Sequence, residues 1–237
     1  MKLTLVLVLS SLLTACGPAG FGTIQSTKPC PTPVIPVIVQ PTPVVVDPAD
    51  ALLTKISALV ADENQYRESL GQTALTSGLS CSLYTFTSGD RIEQTIPGHT
   101  TLTGFQYVTS FLLTSAFNQP NASSTAGLNI LPPALRPVYQ NMYFLSCSGS
   151  LVVTDDDFYG YSISADDAAL LYVDGQLVLN DDNAHSVATV TGQKYMRKGV
   201  HSITVQYAQN YGSEALVLQQ SSSTQALSVL SPTYFFH

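Results

Sequence analysis

From Gly78 to the last residues, the chain is a succession of short apolar or alternating runs, each closed by turn residues. No other feature limits the fold as much. Strand side chains point alternately to two faces, and helical periodicity is missing from these runs. They fall near 80–86, 103–115, 142–153, 158–164, 169–179, 186–191, 200–208, 214–219 and 226–236, with Asp174-Gly175 and Gly212 as turn residues between them. About eight or nine short strands predict an all-β antiparallel sandwich or barrel over residues 78–237. One stretch, Asn118 to Asn141, has four prolines and little periodicity and is expected to be a long surface loop.

Ahead of the strands, Asp47-Pro48-Ala49-Asp50 is a helix start, with Asp at the N-cap and Pro at the first helical position. Leu52, Ile56, Leu59, Tyr66 and Leu70 then share one stripe at helical period, and Gly71 is a stop, which predicts a helix over 48–71. This helix either packs on the domain or self-associates, and Glu63, Arg67 and Glu68 form its solvated face. Residues 16–47 are dense in proline. Pro29, Pro31, Pro33, Pro36, Pro41 and Pro43 alternate with Val, Ile and Thr, the pattern of an extended polyproline II tether. The tether serves as a spacer or lies along a partner or the domain surface.

The first 15 residues have the anatomy of an export signal: Lys2, then a mostly apolar run from Leu3 to Leu13. The run is too short to span a bilayer, which takes roughly 20 apolar residues. Leu13-Thr14-Ala15-Cys16 resembles the lipobox of bacterial lipoproteins. That resemblance implies cleavage before Cys16 and a diacylglyceryl group on its sulfur, so membrane attachment is by lipid. Gly17 is not the Asp that signals inner-membrane retention, which favours the outer membrane of a bacterial envelope.

The remaining cysteines are Cys30, Cys81 and Cys147. Cys81 and Cys147 both sit in strand-like text and are expected to pair in an oxidising compartment, the alternative being two separate buried thiols. Cys30 is left for an intermolecular bridge. Charge is sparse and acidic, with 9 basic and 16 acidic residues for a net −7, which gives no electrostatic footprint for nucleic acid.

Between Tyr143 and Gln219 the text has a recognisable order. It runs Ser148-Gly149-Ser150-Leu151-Val152, Phe158-Tyr159-Gly160-Tyr161-Ser162-Ile163, Ser164-Ala165-Asp166-Asp167, Leu171-Tyr172-Val173-Asp174-Gly175 and Lys198-Gly199 through Tyr207. This order resembles the protective-antigen domain family, the lectin-like β-sandwich of anthrax protective antigen, many bacterial glycosidases and yeast flocculins. Gly78 to Tyr84 matches the family's first strand. The absence of Trp and the long proline-rich loop depart from the family pattern.

In sugar-binding members, two adjacent aspartates joined by a cis peptide hold a calcium ion that chelates sugar hydroxyls. The resemblance places that pair at Asp166 and Asp167. It places the second half of the site in the loop from Ala208 to Glu214, where Gln209 or Asn210 would give an amide oxygen and Tyr211 and Ser213 carbonyls. Calcium takes six to eight hard oxygens, so the donor set suits it. Tyr211 is also placed to stack on a sugar face. The alternative role for the Asp pair is a turn cap without ligand. Two further acidic clusters, Asp155-Asp156-Asp157 and Asn180-Asp181-Asp182-Asn183, are expected to be solvated turns, the second flanking the same face.

No enzymatic motif appears. His99, His185, His201 and His237 are scattered without metal-ligand spacing, and no GxSxG elbow or phosphate-cradling loop is present. The expectation is a lipid-anchored adhesion protein, not an enzyme, that binds glycans on a host, prey or neighbouring cell through a calcium-assisted site. The alternative is a structural envelope lipoprotein whose sandwich binds a protein partner or self-assembles.

Overall fold

The structure, a computed structural model, describes residues 47–93, 100–122 and 127–237. Cys16, the leader, the proline-rich segment with Cys30, and His99 lie outside the described residues, and so do the expectations attached to them.

The helix forms where its signals stand. Asp47 Oδ1 accepts the amide of Ala49 at 2.8 Å, Pro48 opens α1 (Pro48–Ser69), and Gly71 follows in the left-handed region at φ 70°. Ile56 is buried in the core of the β-domain, and Leu52, Leu59 and Val60 pack against it, so the helix belongs to the domain. The predicted stripe holds only in its first half, because Tyr66 and Leu70 are exposed. Beyond Val60, polar bonds replace packing: Asn64 Oδ1 accepts the Leu75 amide at 2.6 Å, and Arg67 Nε donates to the Thr73 carbonyl at 2.7 Å.

Among the described residues twelve strands follow: β1 (Leu79–Thr85), β2 (Gln106–Leu113), β3 (Asn118–Ala122), β4 (Tyr143–Val153), β5 (Asp157–Asp166), β6 (Ala168–Val173), β7 (Gln176–Asp181), β8 (Ala188–Met196), β9 (Gly199–Gln209), β10 (Glu214–Ser221), β11 (Ser228–Val229) and β12 (Phe235–Phe236). They form two antiparallel sheets. One has the order β2-β1-β4-β9-β6-β7 with β12 on β4, and the other has the order β11-β10-β5-β8 with β3 on β10. This is the expected all-β sandwich. Inward positions of both sheets fill its core, including Leu83, Leu145, Tyr161, Ile163, Val205, Tyr207 and Leu218. The register of β1 against β4 sets Cys81 opposite Cys147, and the two are joined in a buried disulfide.

Three expectations of local structure are corrected. The run at 169–179 is two strands, β6 and β7, folded on Asp174 and Gly175, whose φ values of 53° and 71° suit a two-residue hairpin turn. The run at 226–236 forms only the short β11 and β12 around a 3-10 turn (Pro232–Tyr234). The segment Asn118 to Asn141 is not a surface loop. It contributes β3 to the second sheet and buries Leu128, Ile130 and Leu131 just after Phe117, which is also in the core. Irregular turns bury side chains without any period, so periodicity cannot find them. Arg136 satisfies their backbone by donating to the Leu131 carbonyl at 2.8 Å and to that of Asn129.

Three connections pass from one sheet to the other at the same end of the sandwich. They are Asp166-Asp167 between β5 and β6, 182–187 between β7 and β8, and 210–213 between β9 and β10. Pairing of Asp166 with Ala215, of Ala168 with Ala208 and of Ala188 with Ala165 sets the three side by side.

Candidate functional site

At that rim an open depression of about 690 Å³ is lined by Asp166, Asp167, His185, Asn210, Tyr211 and Ser213, together with Met142 and residues 87–89. The peptide bond between Asp166 and Asp167 is cis, as the resemblance implies. Both aspartates are largely buried, with 6 % and 5 % of their surface exposed. Burial pushes both carboxyls above the usual range, against the pull of backbone amides. Those amides are Val187 on Asp166, and Asn210 (2.7 Å) and His185 on Asp167.

Asn210 lines this depression. Its backbone amide holds Asp167, and its carbonyl accepts the Met142 amide at 3.0 Å. Its side-chain Oδ1 is buried with no hydrogen-bond donor in reach. Burying such an acceptor without a partner costs about 1–3 kcal/mol, and a cation at the carboxylates would offset that cost. Tyr211 stands 70 % exposed at the mouth. The Ser213 carbonyl accepts from Gln209 Nε2 at 2.9 Å and keeps its second lone pair.

Gln209 departs from expectation. It is the last residue of β9, is fully buried and faces the interior, where its Oε1 accepts from the Tyr207 hydroxyl at 2.6 Å. The Tyr207 hydroxyl also lies 2.5 Å from the Asp166 carbonyl. Gln209 therefore supports the rim from behind, and Asn210 is the amide that reaches the depression. Successive strand residues point to opposite faces, and the sequence left that choice open.

In the Asn180–Asn183 cluster Asn180 is exposed, but the two aspartates are not solvated. Asp182 is buried, accepts the amides of Ile92 and Glu93 at 2.5 and 2.9 Å, and pairs with Arg91 at 3.6 Å. Asp181 is buried too, and its Oδ1 lies 2.9 Å from His185 Nε2. Burial alone would lower the His185 pKa, but the Ser186 carbonyl and Asp181 outweigh it and raise the value. Asp155 and Asp156 lie in the bend before β5 as expected, and Asp157 is the first residue of that strand: Asp155 pairs with Lys55 at 3.0 Å, Asp156 caps the Lys198 amide and Asp157 caps that of Ser223.

Several residues at the rim carry no signal in the sequence. Met142 and His185 arrive by tertiary proximity. Beneath the floor, Glu214 is fully buried, with Oε1 3.4 Å from the Tyr143 hydroxyl and Oε2 unpartnered, and burial lifts its pKa to about 7. Among the described residues no group of three His, Cys, Asp or Glu side chains stands within reach of one metal ion. A cation here would rest on two carboxylates and neutral oxygens, a donor set of hard ligands only.

No curated protein matches this chain. Solved structures resemble it at the level of fold. The PA14 domain of MpAFP antifreeze protein superposes with TM-score 0.53 at 17 % identity, covering 69 % of this chain and 92 % of that one. The PA14 sugar-binding domain from an RTX adhesin gives 0.52 at 16 %, covering 68 % and 99 %. The A domain of Epithelial Adhesin 6 from Candida glabrata, in complex with Galβ1-3GlcNAc, gives 0.51 at 14 %, covering 69 % and 88 %. An anti-sigma factor domain-containing protein from Clostridium clariflavum also matches, at 0.50 and 17 %, over 68 % of this chain, but the match spans only 47 % of that protein's length. The family profile of the PA14 domain matches residues 115–231. Those residues, which include both aspartates of the rim and the 210–213 loop, belong to the PA14 domain family.

Proposed function

We propose that this protein is a glycan-binding adhesion protein, held at the bacterial cell surface by lipid on Cys16, whose rim site takes sugar through calcium. The observation that carries the site is Asn210 Oδ1, a buried acceptor without a donor on a residue that lines the same depression as two desolvated carboxylates. Asp166, Asp167, Asn210 Oδ1 and the carbonyls of Tyr211 and Ser213 would hold the ion. Calcium, when bound, supplies a positive centre to which neighbouring sugar hydroxyls coordinate. The chain's own part is to fix these oxygens through the backbone amides of Val187, His185 and Asn210, and to present the exposed Tyr211 ring to an apolar sugar face. A sugar-binding domain and an adhesin complexed with Galβ1-3GlcNAc share this fold, which supports the reading.

The test is calorimetric titration of calcium into the chelator-treated full chain, followed by a glycan array with and without the ion. Saturable uptake lost in Asp166→Ala, together with calcium-dependent glycan binding, is expected. No uptake and no binding would sink the reading and leave the Asp pair as a turn. The anchor is checked separately: Cys16→Ser should abolish acyl labelling and release the protein from the membrane fraction.

A second reading, attachment of a protein partner, draws on β2. This edge strand of the first sheet presents exposed Tyr107 and Leu112 beside Phe105 and carries no charge. Under that reading Asp166→Ala leaves function intact, whereas Tyr107→Lys abolishes it.

A further inference from the structure

The outer face of the second sheet carries a surface that the rim site does not use. On β5 the outward positions run from Phe158 to Ser164, and on β8 from Thr189 to Tyr195, and none of them is charged. Six residue steps along a strand make about 20 Å. In a chain of net charge −7, so long an uncharged face is matched to an uncharged partner. β5 is an interior strand, paired to β8 on one side and β10 on the other, so on β5 recognition must come from side chains and not from free backbone.

Phe158 and Tyr195 are direct cross-strand partners at one end of this face, with ring centroids 5.2 Å apart and planes at 60°. They stand 60 % and 49 % exposed, so the pair offers the solvent a broad apolar platform. The next outward pair along the strands is Gly160 with Gln193. A Cβ on Gly160 would stand 2.5 Å from Ser221 Oγ, so the missing side chain leaves the floor open. A depression of about 370 Å³ results, with Thr191, Gln193, Ser221 and Leu227 around Gly160.

A sugar ring has two chemistries. Its C–H face packs on an aromatic ring, and its hydroxyls both donate and accept, as Ser, Thr and Gln side chains do. The geometry points to a second glycan site on this face, where a neutral polysaccharide chain lies across the Phe158–Tyr195 pair and enters the depression at Gly160. It is independent of calcium and of the rim, since Asp166 lies eight residues from Phe158 at the opposite end of β5, about 26 Å along the strand.

The test is affinity electrophoresis of the full chain in EDTA, through gels containing dextran, galactomannan, xyloglucan or hydroxyethyl cellulose, with alginate as the anionic control. Retardation by at least one neutral polysaccharide is expected. It should persist in Asp166→Ala and weaken at least tenfold in the double variant Phe158→Ala/Tyr195→Ala. Gly160→Val, which fills the depression and leaves both rings in place, should weaken it in the same direction, and it decides the matter if the double variant melts early. No retardation by any neutral gel, retardation by alginate alone, or retardation unchanged in both variants would overturn the proposal. None of these results bears on calcium uptake at Asp166, so the two sites stand or fall separately.

Discussion

Asn210 and Gln209 are neighbours in the chain and opposites in the structure. Gln209 is sealed in the interior between the Tyr207 hydroxyl and the Ser213 carbonyl. Asn210 ties Asp167 through its amide and leaves its own Oδ1 without a donor. Their substitutions should therefore separate binding from stability. Gln209→Ala removes one buried and one part-buried hydrogen bond, so urea denaturation should show a loss of about 1–3 kcal/mol. Asn210→Ala removes an acceptor that has no donor to lose. In calcium-free buffer its stability should match or exceed wild type, by up to about 1–3 kcal/mol, while calorimetry should show calcium affinity at least tenfold weaker. Calcium uptake unaltered in Asn210→Ala would remove that residue from the site. The sequence could name both amides as candidates, because both types offer the same oxygen. Which of the two faces the rim depends on where β9 ends.

At the scale of elements, α1 and the segment after β3 show how burial decides what an element is worth. The helix meets the β-domain through buried Ile56 and through the exposed Lys55–Asp155 pair. Ile56→Ala should cost about 2–5 kcal/mol and Lys55→Ala at most about 1 kcal/mol, both read by chemical denaturation. The hydrogen bond from Lys55 holds the Asp155 carboxyl below its usual 3.8. A depressed carboxyl stabilises the fold above its unfolded pKa and loses that contribution as pH falls through the folded value. The difference between Lys55→Ala and wild type should thus shrink as pH falls below 3.8 and vanish once it is below the depressed folded value. Leu131 tests the corrected segment. A surface-loop residue would tolerate Ala, but a fully buried one should lose about 2–5 kcal/mol. The helix was legible because its caps are local chemistry, and so was the Asp174-Gly175 turn. The burial of Leu128, Ile130 and Leu131 was not, because turns have no period to read.

For the molecule as a whole, the Cys81–Cys147 bridge closes a loop of 66 residues across the first sheet. Loop-closure entropy for that length gives roughly 4 kcal/mol of stabilisation. The double variant Cys81→Ser/Cys147→Ser should lose about 2–4 kcal/mol in urea, and wild type under reducing conditions should lose a similar amount. A loss under about 0.5 kcal/mol would mean that the sheet pairing alone holds β1 against β4.

The sequence by itself pointed to an all-β domain, the helix, two cysteines that could pair and the adjacent aspartates. Strand alternation, capping residues and turn dipeptides act over a few residues, and the order of the fragments from Ser148 to Tyr207 is specific enough to mark the family. Only the tertiary structure decided between Gln209 and Asn210 and added the other residues around Asp166 and Asp167. Three connections between the sheets meet at one rim because β5, β9 and β7 all end there, and that meeting brings His185, Met142 and Asn210 to the aspartates from distant parts of the chain. It likewise buries Asp181 and Asp182, which read as a solvated turn, and joins Phe158 to Tyr195 across the outer face. Strand register and sheet crossing are set by the packing of the whole core, and no short window of sequence contains them.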